Sequence, residues 1–241
     1  MNSIDMSPVR VVWIDLDDTI IDFHANSRAA LANLYHQRSF DILWPTVDDW
    51  IAAYERHNIS LWVDYSVGII DNATLRLERF RRPLTEAGVA DADARKLSPD
   101  LDPQYLDLLA QEKKLIPGAI ELLDALRGRS LTIGVLSNGF ADVQHRKIAR
   151  AGLTDKIDIT VLSDDIGVNK PDTRLFRYAQ SRTPWPDNPS AHLMIGDNPA
   201  TDIGGALKAG WQAVWFNPKR QPDCPEGAAE FASLADIMRA L

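Results

Sequence analysis

The chain has 241 residues, 45% hydrophobic and 25% charged, which is enough for one substantial hydrophobic core and a smaller second one. Its formal net charge is −8, because 34 acidic residues outnumber 26 Lys and Arg residues. This balance argues against a broad surface for nucleic acid polymers or anionic membranes, so an anionic ligand has to be held locally. No apolar run approaches the roughly 18 residues that cross a bilayer. The single Cys224 cannot form an internal disulfide, so we expect a cytoplasmic protein.

The first element in chain order is a short apolar segment, residues 9–14, typical of a central strand in a parallel sheet. Three further apolar segments have the same character and also end in polar residues: 131–136, 157–162 and 192–195. Helical patterns punctuated by Gly and Pro follow or separate them: 120–126, 143–151, 175–180 and 201–209. This alternation predicts an α/β fold with a doubly wound parallel sheet. Ligands of such sheets bind beyond the carboxyl ends of the strands.

The segment between the first two strands does not follow the alternation. It reads instead as consecutive helices with apolar pairs at helical spacing: 27–38, 47–65, 72–82 and 103–114. We therefore predict a catalytic core of residues 1–22 and 116–241 and an inserted all-helical domain of residues 23–115.

Two carboxylates, Asp15 and Asp17, stand at the end of the first predicted strand in Asp15-Leu16-Asp17-Asp18-Thr19. Because side chains alternate along a strand, the two share an orientation if the extended geometry persists. Carboxylates so close repel each other, and one pKa should rise unless a cation intervenes. That asymmetry suits a nucleophile beside an acid/base group. The alternative, an acidic strand end that only caps a loop, stays open at this point.

The other strand ends carry groups that suit a phosphate. Ser137 and Asn138 precede Gly139, and together they offer a hydroxyl and backbone N–H groups before a helix. Lys170 is either a cation for phosphate oxygens or a solvated loop residue.

Further acids follow the fourth predicted strand. Asp197 ends that strand, and Asp202 either initiates a helix or takes part in a metal site. With Asp15 and Asp17, Asp197 supplies hard oxygen ligands with room for water, which suits Mg²⁺ better than Ca²⁺ or zinc. The combination predicts a magnesium-assisted phosphoryl site.

The order of these four motifs resembles the haloacid dehalogenase superfamily of phosphatases across the whole core, and the helical insert is similar to that superfamily's first type of cap. The resemblance implies that Asp15 forms an aspartyl-phosphate, while Asp17 protonates the leaving oxygen and later activates water. Our working hypothesis is that the cap closes over the leaving group and excludes bulk water. The phosphoryl group would be bound by Thr19, Ser137, Asn138 and Lys170.

The resemblance also implies a metal site, and it argues against one activity found in the same superfamily. Mg²⁺ would be held by Asp15, the carbonyl of Asp17 and Asp197, with Asp202 acting directly or through another group. Members that displace halide lack an acid at the position of Asp17, since halide needs no proton. This argues against a 2-haloacid dehalogenase.

Part of the helical insert is similar to the cap of the pyrimidine nucleoside 5′-monophosphatase branch. It contains Trp62, Asp64 and Tyr65, followed by Gly68. The aromatic rings would stack on a base, and Asp64 would accept a hydrogen bond from the base or ribose. Alternatively, Trp62 and Tyr65 only pack within the insert. We expect a small phosphate monoester, in particular a nucleotide, as substrate, and a monomer or homodimer.

Alternatives to a nucleotidase remain. A phosphatase or phosphomutase for small metabolites, such as phosphoglycolate or sugar phosphates, needs the same core residues. A phospho-accepting signalling domain also joins acids, a hydroxyl group and a Lys, but it is shorter and needs no insert. The complete motif set argues against a catalytically silent binding protein. The chain lacks the Gly-rich turns that would indicate a dinucleotide or P-loop site.

Overall fold

The computed structural model of the protein describes residues 4–241. The chain forms two compact units, one ending at Phe23 and resuming with Lys113–Leu241, the other His24–Glu112. The chain passes between them at residues 23/24 and 112/113, against 22/23 and 115/116 expected from the sequence. That the helical unit acts as a cap stays a prediction.

The first unit contains a six-stranded parallel sheet with the order β3-β2-β1-β4-β5-β6. The strands are β1 (Val11–Ile14), β2 (Thr132–Ser137), β3 (Ile159–Leu162), β4 (His192–Gly196), β5 (Gln212–Phe216) and β6 (Ala229–Phe231). The α-helices among the described residues are α1 (Phe23–Gln37), α2 (Val47–Ser66), α3 (Asn72–Glu86), α4 (Asp91–Leu109), α5 (Ala119–Gly128), α6 (Ala141–Arg150), α7 (Thr173–Ser181), α8 (Gly204–Lys208) and α9 (Leu234–Ala240). The predicted α/β fold with a doubly wound parallel sheet is confirmed.

The strand β1 lies at the centre of the sheet, and all four of its residues are fully buried. One face of the sheet packs Val12 and Ile14 with α5 and α9, and the other packs Val11 and Trp13 against a second apolar cluster. The chain moves from β1 outward to β2 and β3, then returns to place β4 on the other side of β1. The carboxyl ends of β1 and β4 therefore meet at the point where the strand order reverses, which is the usual ligand site of this architecture.

The second unit consists of α1 to α4. α2 starts with a capping box, in which Thr46 and Asp49 satisfy each other's backbone N–H groups. A buried ion pair between Arg79 and Asp102 joins α3 to α4. The unit's aromatic core is formed by Phe40, Trp44, Trp50, Tyr54, Phe80 and Tyr105.

The sequence-based assignment of the last helix in this unit was wrong at both ends. α4 begins at Asp91 rather than residue 103, and it ends at Leu109. Pro99 and Pro103 lie inside it, although proline normally marks a helix start or break. The buried face of α4 packs along α3, and this packing outweighs the missing backbone hydrogen bonds. Within the described residues, no helix combines the length and apolar character needed to cross a membrane.

Candidate active site

The first site residue, Asp15, directly follows β1. Its backbone N–H donates to the carbonyl of Ile195 at 2.9 Å, so the pairing with β4 continues one residue past the strand. The chain then turns at Asp18, whose φ of 58° is left-handed. The Asp15 side chain is only 11% exposed, and its Oδ1 lies 2.6 Å from Nζ of Lys170.

Lys170 is an interior residue. Its Nζ contacts Oδ1 of Asp15 at 2.6 Å and Oδ1 of Asp202 at 2.7 Å, and it donates to the carbonyl of Leu136 at 2.7 Å. The Asn138 side chain holds the Lys170 backbone by accepting from its N–H at 2.7 Å and donating to its carbonyl at 3.0 Å. The structure thus rejects a solvated loop Lys. It also shows that the Asn138 carboxamide orients Lys170, so a phosphate contact of Asn138 stays a prediction.

Asp202 approaches the site through space left by a glycine. It is 1% exposed, and its Oδ2 accepts from the N–H of Asn198 at 3.1 Å. A Cβ atom on Gly196 would lie 2.3 Å from the same Oδ2. Any side chain at position 196 would therefore displace the Asp202 carboxylate.

Asp197 lies beside these groups at the end of β4. Its carbonyl accepts from Nε1 of Trp215 at 2.9 Å, which fixes the backbone. The hydroxyl of Thr19, which is fully buried, lies 3.5 Å from Oδ1 of Asp197. Thr19 and Asp197 are 178 residues apart in the chain and meet because β1 pairs with β4.

Three carboxylates form a group suited to a cation. One oxygen each from Asp15, Asp197 and Asp202 lies within 4.8 Å of the others. The pKa of Asp15 is raised to about 7 and that of Asp197 to about 8, mainly by burial and in smaller part by neighbouring carboxylates. The nearby ammonium of Lys170 opposes these shifts. Clustered hard oxygens that bind protons this strongly fit a divalent cation such as Mg²⁺.

Asp17 has different partners from Asp15, and sequence reasoning missed them. Its Oδ1 contacts Nζ of Lys147, and its Oδ2 accepts from Nε2 of Gln144 at 2.9 Å. Both partners lie on α6. Gln144 also donates to the Ser137 hydroxyl at 2.7 Å. The available signal was a Gln and a Lys three residues apart on the helix after Ser137, both on its buried side.

The six charged groups that converge here carry a formal charge of −2 when all are ionised: Asp15, Asp17, Asp197, Asp202, Lys147 and Lys170. Asp18 adds further negative charge near Asp197. Uncompensated charge is costly in a buried site, and protons or a cation can relieve it. The donor set and the excess charge therefore both agree with a divalent ion.

The residues predicted to recognise a base lie in the helical unit, near the end of α2. Trp62 and Tyr65 pack edge to face with ring centroids 5.4 Å apart. Both rings and Asp64 are partly exposed, and neither ring belongs to the fully buried aromatic core. The assignment of Trp62, Asp64 and Tyr65 to base recognition therefore stays a prediction, beside the alternative that the two rings pack within the helical unit.

Comparison with known proteins agrees with this fold and this arrangement of acids. Residues 9–210 match the haloacid dehalogenase-like hydrolase family, and the chain belongs to it. It is a phosphatase of that family, which excludes the signalling-domain alternative.

Two relatives and one solved structure are similar to the chain over most of its length. The chain is 32% identical over 218 residues to the pyrimidine 5′-nucleotidase YjjG of Escherichia coli, covering 90% of each protein. It is 30% identical to the phosphoserine phosphatase of Thermus thermophilus, covering 92% of this chain and 94% of that protein. The structure of the putative HAD-hydrolase YfnB of Bacillus subtilis, bound to magnesium, superposes with a TM-score of 0.84 at 28% identity, covering 96% of this chain and 97% of that one.

Because Gly196 lies against Asp202, we expect a methyl group added at position 196 to lower the activity. In Gly196→Ala, the new Cβ displaces the Asp202 carboxylate, and with it Lys170. We expect kcat/KM to fall about 100-fold, the usual consequence of a misplacement near 1 Å. Gly128→Ala is the matched control, because a Cβ there meets nothing within 4 Å. Equal activity of the two variants would show that the Asp202 position is not required.

The raised pKa values predict how pH affects the metal-free protein. Between the ordinary pKa of 3.8 and the folded values of about 7 and 8, Asp15 and Asp197 keep protons that the unfolded chain releases. The free energy of unfolding should therefore fall as pH rises through this window. Mg²⁺ should raise the melting temperature more at pH 8 than at pH 6. Asp197→Asn should weaken both trends, and stability that increases with pH from 5 to 8 would contradict this assignment.

Proposed function

We propose that the chain is a Mg²⁺-dependent phosphate-monoester hydrolase that acts through an aspartyl-phosphate on Asp15, and that its substrates are nucleoside 5′-monophosphates with a pyrimidine base. The proposed reaction mechanism rests on the 2.6 Å contact between Asp15 and the buried ammonium of Lys170. A nucleophilic carboxylate held against a fixed cation is suited to attack a phosphate dianion, because the cation reduces the repulsion between the two anions.

The residues divide the reaction between them as follows. Asp15 attacks phosphorus while Lys170, Thr19 and Ser137 hold the phosphoryl oxygens. Asp17 gives a proton to the leaving oxygen, then takes one from the water that hydrolyses the aspartyl-phosphate. Asp15, Asp197 and the carbonyl of Asp17 would hold Mg²⁺, which when bound would supply the positive charge that these carboxylates otherwise lack. Asp202 supports this arrangement by fixing Lys170, which it contacts at 2.7 Å.

The substrate part of the proposal is supported by the relatives and by the partly exposed group of Trp62, Asp64 and Tyr65. The Escherichia coli relative is a pyrimidine 5′-nucleotidase. An aromatic pair suits stacking on a planar base, and a carboxylate suits a base N–H or a ribose hydroxyl. The Thermus thermophilus relative is a phosphoserine phosphatase, so small phosphorylated metabolites are the second candidate class. A mutase, which would pass the phosphoryl group to a second hydroxyl, uses the same core residues.

Replacing Asp15 tests whether the reaction proceeds through an aspartyl-phosphate. Asp15→Asn keeps the size of the side chain and removes one buried negative charge, so the variant should fold. We expect phosphate release to fall about 10⁴-fold or more, as when other covalent nucleophiles are removed. Asp155→Asn, at an exposed position, is the control and should keep wild-type activity. Turnover by Asp15→Asn within tenfold of wild type would contradict covalent catalysis at this residue.

Base recognition is tested by comparing substrates. In Trp62→Ala, KM for uridine 5′-monophosphate should rise about tenfold, since base stacking contributes ~1–3 kcal/mol. Asp64→Ala should raise it by a similar factor, because a hydrogen bond to a charged group contributes about 1.5–3 kcal/mol. KM for p-nitrophenyl phosphate and phosphoserine should change much less. Val63→Ala, at a neighbouring exposed position, is the control. If KM rises equally for all three substrates, or if wild-type protein prefers phosphoserine, the nucleotide assignment is wrong.

A further inference from the structure

The side chain of Asp17 is held on both oxygens by one helix. Nζ of Lys147 contacts Oδ1, and Nε2 of Gln144 donates to Oδ2 at 2.9 Å. The two partners are three residues apart on α6, so they face the same direction. A carboxylate with a contact on each oxygen has little freedom to rotate.

Lys147 has the features of an interior group with a set position. It is 3% exposed, donates to Oε1 of Gln144 at 2.8 Å, and lies 4.9 Å from the centre of the Phe23 ring. A buried ammonium group needs partners on all sides, and here an acid, an amide oxygen and an aromatic face provide them. Its position is therefore tied to that of Asp17.

Gln144 connects Asp17 to the hydroxyl of Ser137. The Gln144 side chain is 1% exposed and donates to Ser137 Oγ at 2.7 Å as well as to Asp17. Its oxygen has to face Lys147, which can only donate, and this fixes the orientation of the amide. A Cβ on Gly139 would lie 2.2 Å from Nε2, so the glycine after Ser137-Asn138 makes room for this side chain.

We propose that Gln144 and Lys147 are positioning residues for proton transfer by Asp17, and that they tie its orientation to the phosphate-binding Ser137. The inference rests on the proposed roles of Asp17 and Ser137. In the first step, the Asp15–phosphorus bond forms, the bond to the leaving oxygen breaks, and the proton of Asp17 moves to that oxygen. In the second, the water oxygen forms a bond to phosphorus, Asp17 takes a proton from that water, and the bond between the Asp15 oxygen and phosphorus breaks. Both transfers need the carboxyl group at a defined angle to the reacting oxygen.

A pair of aryl phosphates separates this role from a general structural one. Phenyl phosphate and p-nitrophenyl phosphate have similar shapes and the same phosphate, but the phenolate of phenyl phosphate is the poorer leaving group and depends more on protonation. The quantity measured is the ratio of kcat/KM for phenyl phosphate to that for p-nitrophenyl phosphate. Weaker phosphate binding or partial unfolding lowers both values together and leaves the ratio unchanged.

Gln144→Met keeps the length of the side chain, and Lys147→Met shortens it by one atom. In both variants we expect this ratio to fall about tenfold, part of the 10²–10⁴ that general acid catalysis supplies. Asp17→Asn provides the reference and should lower the ratio at least as much. Arg146→Met is the matched control on the same helix, where the side chain is more exposed and pairs with Asp142, and it should keep the wild-type ratio.

The outcomes separate the inference from the function on which it rests. If Asp17→Asn lowers the ratio and both Met variants keep it, the positioning role is wrong and the proposed function stands. If Asp17→Asn itself keeps the wild-type ratio, Asp17 is not the proton donor and both proposals fail. If Lys147→Met does not fold, Gln144→Met decides the question alone, because it removes hydrogen bonds without removing a buried charge.

Discussion

The structure of the site depends on the compensation of buried negative charge. Asp15 and Asp202 share the ammonium group of Lys170, at 2.6 and 2.7 Å. Asp197 is the third carboxylate of the group, and its described hydrogen bonds and ion pairs include no ammonium group. Burial, with a smaller effect of the neighbouring carboxylates, raises the pKa of Asp15 to about 7 and that of Asp197 to about 8. The same environment that makes these acids hold protons makes them suitable ligands for a divalent ion, which would replace the protons.

Two features of the fold bring these groups together: the order of the strands, and glycine at two positions where a side chain would block the site. Since β4 pairs with β1, residues almost 180 positions apart meet at the reversal of the sheet. Gly196 lets the Asp202 carboxylate approach, and Gly139 does the same for Gln144. Both glycines are required for the space that they leave to these side chains, because a Cβ at either position would lie under 2.5 Å from a polar atom of the site.

Much of this arrangement could be predicted from the sequence, and the remainder has identifiable physical reasons. Apolar segments that end in polar residues predicted the parallel sheet, because such strands need cover on both faces. The strand β5 was not predicted, although its apolar run is as long as those of the predicted strands. Gln144 and Lys147 were missed because they lie on a helix, where their relation to Asp17 depends on how α6 packs. The interior position of Lys170 likewise followed only from three-dimensional contacts.

Calorimetric titration of the metal-free protein with Mg²⁺, in two buffers of different ionisation enthalpy at pH 7, measures this charge compensation most directly. Charge replacement predicts one ion bound per chain, release of protons on binding, and much weaker binding by Asp197→Asn. Absence of binding, or binding without proton release and unchanged in Asp197→Asn, would contradict the central role given to the carboxylate group.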